Sequence, residues 1–219
     1  MNVDLGWPAG TAGNPNPSEL QRAGIRKVRF VSRGPAIEPR IAEYDAAGIL
    51  TLGVVTAESA GYVCGARIIQ VGNEPNLPGT GDSLAPSGSN PDLSFAARLQ
   101  LFRNTYPDHL LIAGGLANWG TLTDRLAYIT AVKQAGGLVG YSAIAVHYPP
   151  VAPQITALAK AAGLPVYVTE WRADSTALAE YVHGLRAAAL GIFGFCWDEA
   201  MVPNFGFTDA MKRLYGGLA

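Results

Sequence analysis

An eightfold alternation of apolar runs and amphipathic stretches constrains this chain more than any other feature. Short, β-branched apolar runs recur at residues 2–7, 27–32, 49–56, 67–73, 110–116, 142–148, 165–171 and 191–197. Between and after them lie Ala/Leu-rich amphipathic stretches at 18–24, 37–48, 92–106, 121–137, 152–163, 174–190 and 208–217. The runs are continuous rather than strictly alternating, which suits parallel strands covered on both faces. The helical stretches tend to open on a polar cap, such as Ser18, and to close on glycine, as at Gly48 and Gly163. Eight such units predict an α/β protein forming a single compact (β/α)8 TIM barrel over residues 1–219. Between the third and fourth runs only "AESAGYVCGA" is available, so the helix there is expected to be short or missing. An open doubly wound sheet is the alternative, weakened because no Gly-rich phosphate loop follows the first run.

Composition narrows the function classes. With 49% hydrophobic and 15% charged residues the chain can bury a sizeable core, which argues against disorder. A net charge of −1 argues against a nucleic-acid partner and against attachment to a membrane through a basic patch. No apolar run is long enough to span a bilayer. The opening "MNVDLGWPAG" has no charged segment leading into an apolar one, so no signal peptide is visible. The expectation is a monomer, either cytoplasmic or a module or trimmed form of a larger or secreted protein. Cys64 and Cys196 stand alone in sequence and read as separate buried thiols. No His pair has zinc-like spacing and no acidic loop resembles a calcium site, so neither metal nor cofactor is expected.

In a (β/α)8 barrel the chemistry sits at the C-terminal ends of the strands. The fourth run ends in "VGNEPN", which sets Asn73 and Glu74 at that end. Taken alone this is a turn that holds a solvated acid. The seventh run ends in "VYVTEW", which puts Glu170 and Trp171 at the same end of the fold. Two carboxylates facing one mouth are what glycoside hydrolysis needs, one to protonate the leaving oxygen and one to attack carbon or activate water.

"VGNEPN" and "LPVYVTEW" resemble the two catalytic signatures of clan A glycoside hydrolases, with Asn-Glu-Pro ending strand 4 and Thr-Glu ending strand 7. The family within the clan is not assigned. The resemblance implies a retaining enzyme in which Glu74 is the acid/base, Glu170 the nucleophile, and Asn73 the residue that meets the sugar's 2-hydroxyl. "AGIRKVRF" is similar to the clan's strand 2, which gives Arg29 the place of the arginine supporting the nucleophile, with Arg33 as the alternative. A cation there favours the charged form of a carboxylate. "YSAIAVHYPP" resembles strand 6, where a His and a Tyr approach the carboxylates. Here His147 and Tyr148 are adjacent, and alternation along a strand lets only one of them face inward. "GFCW" resembles strand 8 and gives Trp197 the place of the aromatic floor of the sugar site.

Independently of the family, Trp7, Trp119, Trp171 and Trp197 all fall at or just after the end of an apolar run. Sugars stack their C–H faces on such rings; the competing reading is that the rings plug the top of the barrel. The expected function is hydrolysis of β-glycosidic bonds in a poly- or oligosaccharide by double displacement, with no cofactor. The alternative is a non-catalytic carbohydrate-binding barrel, since fold alone does not prove chemistry. An aldolase or sugar-phosphate isomerase would want a Schiff-base Lys on a strand, or a phosphate-gripping Gly loop near strands 7 and 8; Lys27 opens strand 2 at the wrong end, and no strand ends in Lys. The Gly/Pro/Ser-rich loop at 77–91 is expected to wall one side of a groove open enough for a polymer.

Overall fold

The computed structural model describes residues 2–4, 15–22, 24–32, 34–56, 59, 62–77, 91–147, 152–170, 191–192, 201–202 and 206–207. Eight parallel strands form one sheet in chain order: β1 (Asn2–Asp4), β2 (Lys27–Val31), β3 (Leu50–Val55), β4 (Ile68–Val71), β5 (Leu110–Leu116), β6 (Ala143–His147), β7 (Val166–Glu170) and β8 (Gly191–Ile192). The direction and order are those expected. The expected closed ring is not formed among the described residues: the pairings run from β1 to β8 and β8 does not return to β1. Beyond β8, β9 (Met201–Val202) and β10 (Gly206–Phe207) make a small antiparallel pair that the apolar pattern did not announce.

The helices are α1 (Pro17–Arg22), α2 (Glu38–Ala46), α3 (Pro91–Thr105), α4 (Leu122–Gln134) and α5 (Ala152–Ala162), with a 3-10 turn at Pro35–Ile37. Ser18 is not the cap of α1. Asn16 Oδ1 accepts from the Glu19 N–H at 3.0 Å, and Glu19 Oε2 accepts from the Asn16 N–H at 2.7 Å. Asn16 and Glu19 therefore close a capping box, with Pro17 in the first helical position, where its missing N–H costs nothing. Thr121 and Asp124 form the same reciprocal box at the start of α4. No α-helix joins β3 to β4 among the described residues, as the short connection requires. None of the described helices is long and apolar enough to cross a membrane. The stretches 174–190 and 208–217 lie outside the described residues.

Both faces of the sheet are covered, which explains the continuous apolar runs. Phe30, Val55, Ile69, Val71, Ala113, Ile144, Val146, Val166 and Val168 join the large core under the helices. Val31, Leu52, Val54, Ile68, Ile112, Ala143 and Ala145 fill the other, concave face, with Tyr167 against them. Cys64 is a buried free thiol in the helix-side core, and burial pushes its pKa up, so it packs rather than reacts.

Two irregularities set up the concave face. In the β6–β7 ladder Val146 pairs with Val168, but the next partner of His147 is Glu170. One extra residue, Thr169, has been let into β7, and the bulge turns Glu170 onto the face that Tyr167 and His147 share. In β5 the register moves from Ala113↔Ile144 to Leu116↔Val146. Gly114 takes up the slack with φ 72, a conformation glycine adopts freely.

Candidate active site

A fully buried cation organises the C-terminal end of the sheet. Arg29, on β2, has 0% of its surface exposed. Its Nε donates to Gln70 Oε1 at 3.3 Å, and its Nη2 donates to Asn73 Oδ1 at 2.7 Å. Its Nη1 stands 2.9 Å from Glu170 Oε1. The planar guanidinium fork suits this spread of acceptors better than an ammonium would. Gln70 is fixed in turn, since its Nε2 donates to the Gly72 carbonyl at 3.0 Å.

His147, at the end of β6, connects the two carboxylates. Its Nδ1 lies 3.1 Å from Glu74 Oε1 and 3.3 Å from Glu170 Oε2. Its other nitrogen, Nε2, faces Arg29 Nη2 at 3.4 Å. Arg29 can only donate, so Nε2 must offer its lone pair and the proton belongs on Nδ1. One N–H thus serves both acids. Gly115 makes the arrangement possible: a side-chain carbon there would stand 2.5 Å from His147 Nε2 and 2.6 Å from Gln70 Nε2.

Carboxylate oxygens of Glu74 and Glu170 and the His147 nitrogen all lie within 4.8 Å of one another. Such a trio could in principle grip a divalent cation. The Nδ1 proton occupies the position a metal would need, and moving it to Nε2 would set two donors against each other at Arg29. The residues therefore fit a metal poorly.

The two acids differ in setting. Glu170 is 7% exposed and rests on Arg29. Glu74 is more open, with its backbone in the left-handed region at φ 54. The hydrogen bond from His147 holds the Glu74 carboxyl below the usual carboxylate range; the Arg29 charge assists, and burial opposes.

Of the residues singled out in the sequence, the structure brings together Arg29, Asn73, Glu74, His147 and Glu170. His147, at the end of strand 6, faces Glu74 and Glu170. Trp119 lies beyond the end of β5 and is half exposed. Trp7, Arg33, Tyr148, Trp171 and Trp197 lie outside the described residues. Gln70, Gly115 and Asn76 belong to the site or its frame and were not singled out. Gln70 had a visible signal, a lone amide inside the apolar run "RIIQV".

No protein-family model matches the chain, and no curated protein resembles it in sequence. Solved structures do resemble it. A GH128 (subgroup III) curdlan-specific exo-β-1,3-glucanase from Blastomyces gilchristii superposes with a TM-score of 0.57 at 17% identity, over 97% of this chain and 88% of its own. A putative lyase/mutase from Burkholderia cenocepacia gives a TM-score of 0.57 at 16% identity, over 99% of this chain and 80% of its own. The endoglucanase Cel5A from Pseudomonas stutzeri aligns over 100% of this chain and 94% of its own at 11% identity, but its TM-score of 0.49 carries no weight. The first two likenesses are likenesses of fold. That they pair a glucanase with a lyase/mutase leaves the choice of chemistry to the site.

Proposed function

We propose that the chain is a retaining glycoside hydrolase of the clan A type, cleaving β-glycosidic bonds of a poly- or oligosaccharide on a (β/α)8 barrel. The observation that carries this reading is the carboxylate pair: oxygens of Glu74 and Glu170 within 4.8 Å, joined through His147. Retaining enzymes hold their carboxyl groups roughly 5–5.5 Å apart, whereas inverting ones leave about 6.5–9.5 Å for a water. Glu170 attacks the anomeric carbon and forms a glycosyl ester, while Glu74 gives its proton to the departing oxygen. Water then enters, Glu74 takes its proton, and the oxygen attacks the anomeric carbon to release Glu170. Asn73, fixed by Arg29, meets the 2-hydroxyl. Tyr148, Trp7, Trp119, Trp171 and Trp197 are assigned to the sugar as hydrogen-bonding or stacking groups. The glucanase of similar fold supports a β-glucan as the first substrate to try.

Proton NMR of the first turnovers tests the mechanism. A β-linked substrate is expected to yield β-product before mutarotation, and α-product at early times would overturn double displacement.

The setting of Glu74 gives a second expectation. As the acid, Glu74 must carry its proton in the free enzyme, so kcat/KM falls as pH rises through its pKa. That pKa is lowered, so the basic limb of the profile is expected well on the acid side of neutrality. Replacing His147 by Ala removes the chief lowering influence, and the basic limb is then expected to move to higher pH. A limb that stays in place or moves down would show that His147 does not set the acid.

A further inference from the structure

We propose that Asn76 is a positioning residue that straps the acid Glu74 to the loop bearing Trp119, and that Trp119 is the platform for the sugar on the leaving-group side. The inference rests on the reading of Glu74 as the acid.

The β4–β5 ladder makes its last regular pair at Val71↔Ala113, short of the chemistry. Side chain and backbone together continue it. Glu74 N–H donates to the Gly115 carbonyl at 2.9 Å, and Leu77 N–H closes a turn on the Glu74 carbonyl at 2.9 Å. Pro75 occupies the turn position that favours its fixed φ. Asn76 then uses both ends of its amide: Nδ2 donates to the Ala117 carbonyl at 3.1 Å, and Oδ1 accepts from the Ala117 N–H at 2.8 Å. The amide acts as one more rung between the strand ends. It is needed there, because a non-glycine residue at φ 54, such as Glu74, costs on the order of 1–3 kcal/mol and persists only where its surroundings hold it.

The strap also fixes the loop beyond Ala117. Trp119 comes two residues later, and its loop ends on the Thr121–Asp124 capping box, where Thr121 N–H donates to Asp124 Oδ2 at 2.8 Å. A loop tied at both ends carries an indole that is 50% exposed. A large apolar ring presented to solvent does not serve packing, but it suits the C–H face of a sugar. The strap also ties the loop that bears the ring to the turn that bears the acid. Glu74 addresses the glycosidic oxygen and Glu170 the anomeric carbon, so a platform tied to Glu74 meets the departing sugar.

Three β-glycosides of one sugar test this: an oligosaccharide, a phenyl glycoside, and a dinitrophenyl glycoside whose leaving group departs without a proton. Trp119→Ala is expected to lose tenfold or more in kcat/KM on the oligosaccharide, mainly through KM, and at least tenfold less on either aryl glycoside. Asn76→Ala is expected to lose at least tenfold more on the oligosaccharide and phenyl glycoside than on the dinitrophenyl glycoside. Asn76→Asp, which keeps the acceptor to Ala117 N–H but not the donor, should fall between. Equal losses on all three substrates would reduce Asn76 to a structural residue, and an oligosaccharide rate untouched by Trp119→Ala would remove the platform. If the unaltered protein hydrolyses none of the three, the glycosidase reading itself fails.

Discussion

Glu170→Gln is expected to lower kcat/KM on an activated aryl β-glycoside by on the order of 10⁴-fold or more, the scale on which loss of a covalent nucleophile is felt. Glutamine has nearly the same volume, and its amide oxygen can still accept from Arg29 Nη1, which stands 2.9 Å from Glu170 Oε1. The fold should therefore hold, and the loss should belong to the chemistry. An amide oxygen cannot form the glycosyl ester. Glu74→Gln removes a different function, proton transfer worth roughly 10²–10⁴-fold, and its cost should shrink as the leaving group improves. The contrast is the diagnostic: Glu170→Gln is slow on every leaving group and Glu74→Gln only on poor ones. Azide sharpens it. With Glu170→Gly, azide can enter where the carboxylate stood, attack the anomeric carbon as phenolate leaves, and give a glycosyl azide of inverted configuration. Full activity in Glu170→Gln would eliminate the proposed mechanism.

The parts of the site that were legible in the sequence are those written locally. Each of the β2, β3, β5, β6 and β7 cores appears as an apolar run because a parallel strand is buried on both faces. "NEPN" and "VTE" name their acids outright. The arrangement between strands was harder to see, because it depends on register. By strict alternation from Tyr167, Thr169 would face the cleft and Glu170 the helices; one inserted residue in β7 reverses this. Gly115 looked like one more small residue in "LLIAGGL", and only the approach of His147 and Gln70 shows why a side chain is excluded there. The choice between His147 and Tyr148 was open for the same reason. Asn76 looked like turn residue chemistry, and its partner, Ala117, is far along the chain. The α1 cap was misread by two positions because Ser18 and Asn16 are both good caps, and Pro17 between them favours the earlier start.

Arg29→Met is expected to be the most destabilising single change in the site. Methionine fills much of the same space but leaves Glu170, 7% exposed, without the cation beside it. Gln70 Oε1 and Asn73 Oδ1 lose their donors as well. Breaking a buried pair from one side costs about 3–5 kcal/mol. At roughly 2–4 °C per kcal/mol for a domain of this size, Tm should fall by about 6–20 °C. Because the pair is buried, the loss should vary little between low and moderate salt, unlike that of a surface bridge. Activity should fall as well, by on the order of 10²–10³-fold, since Asn73, His147 and Glu170 lose the group that orients them together. Arg29→Lys separates the two effects. An ammonium restores a positive charge near Glu170, so part of the Tm should return. It cannot reach Gln70, Asn73 and Glu170 from one plane, so the rate should remain low. If Lys restored both, Arg29 would be acting as charge alone.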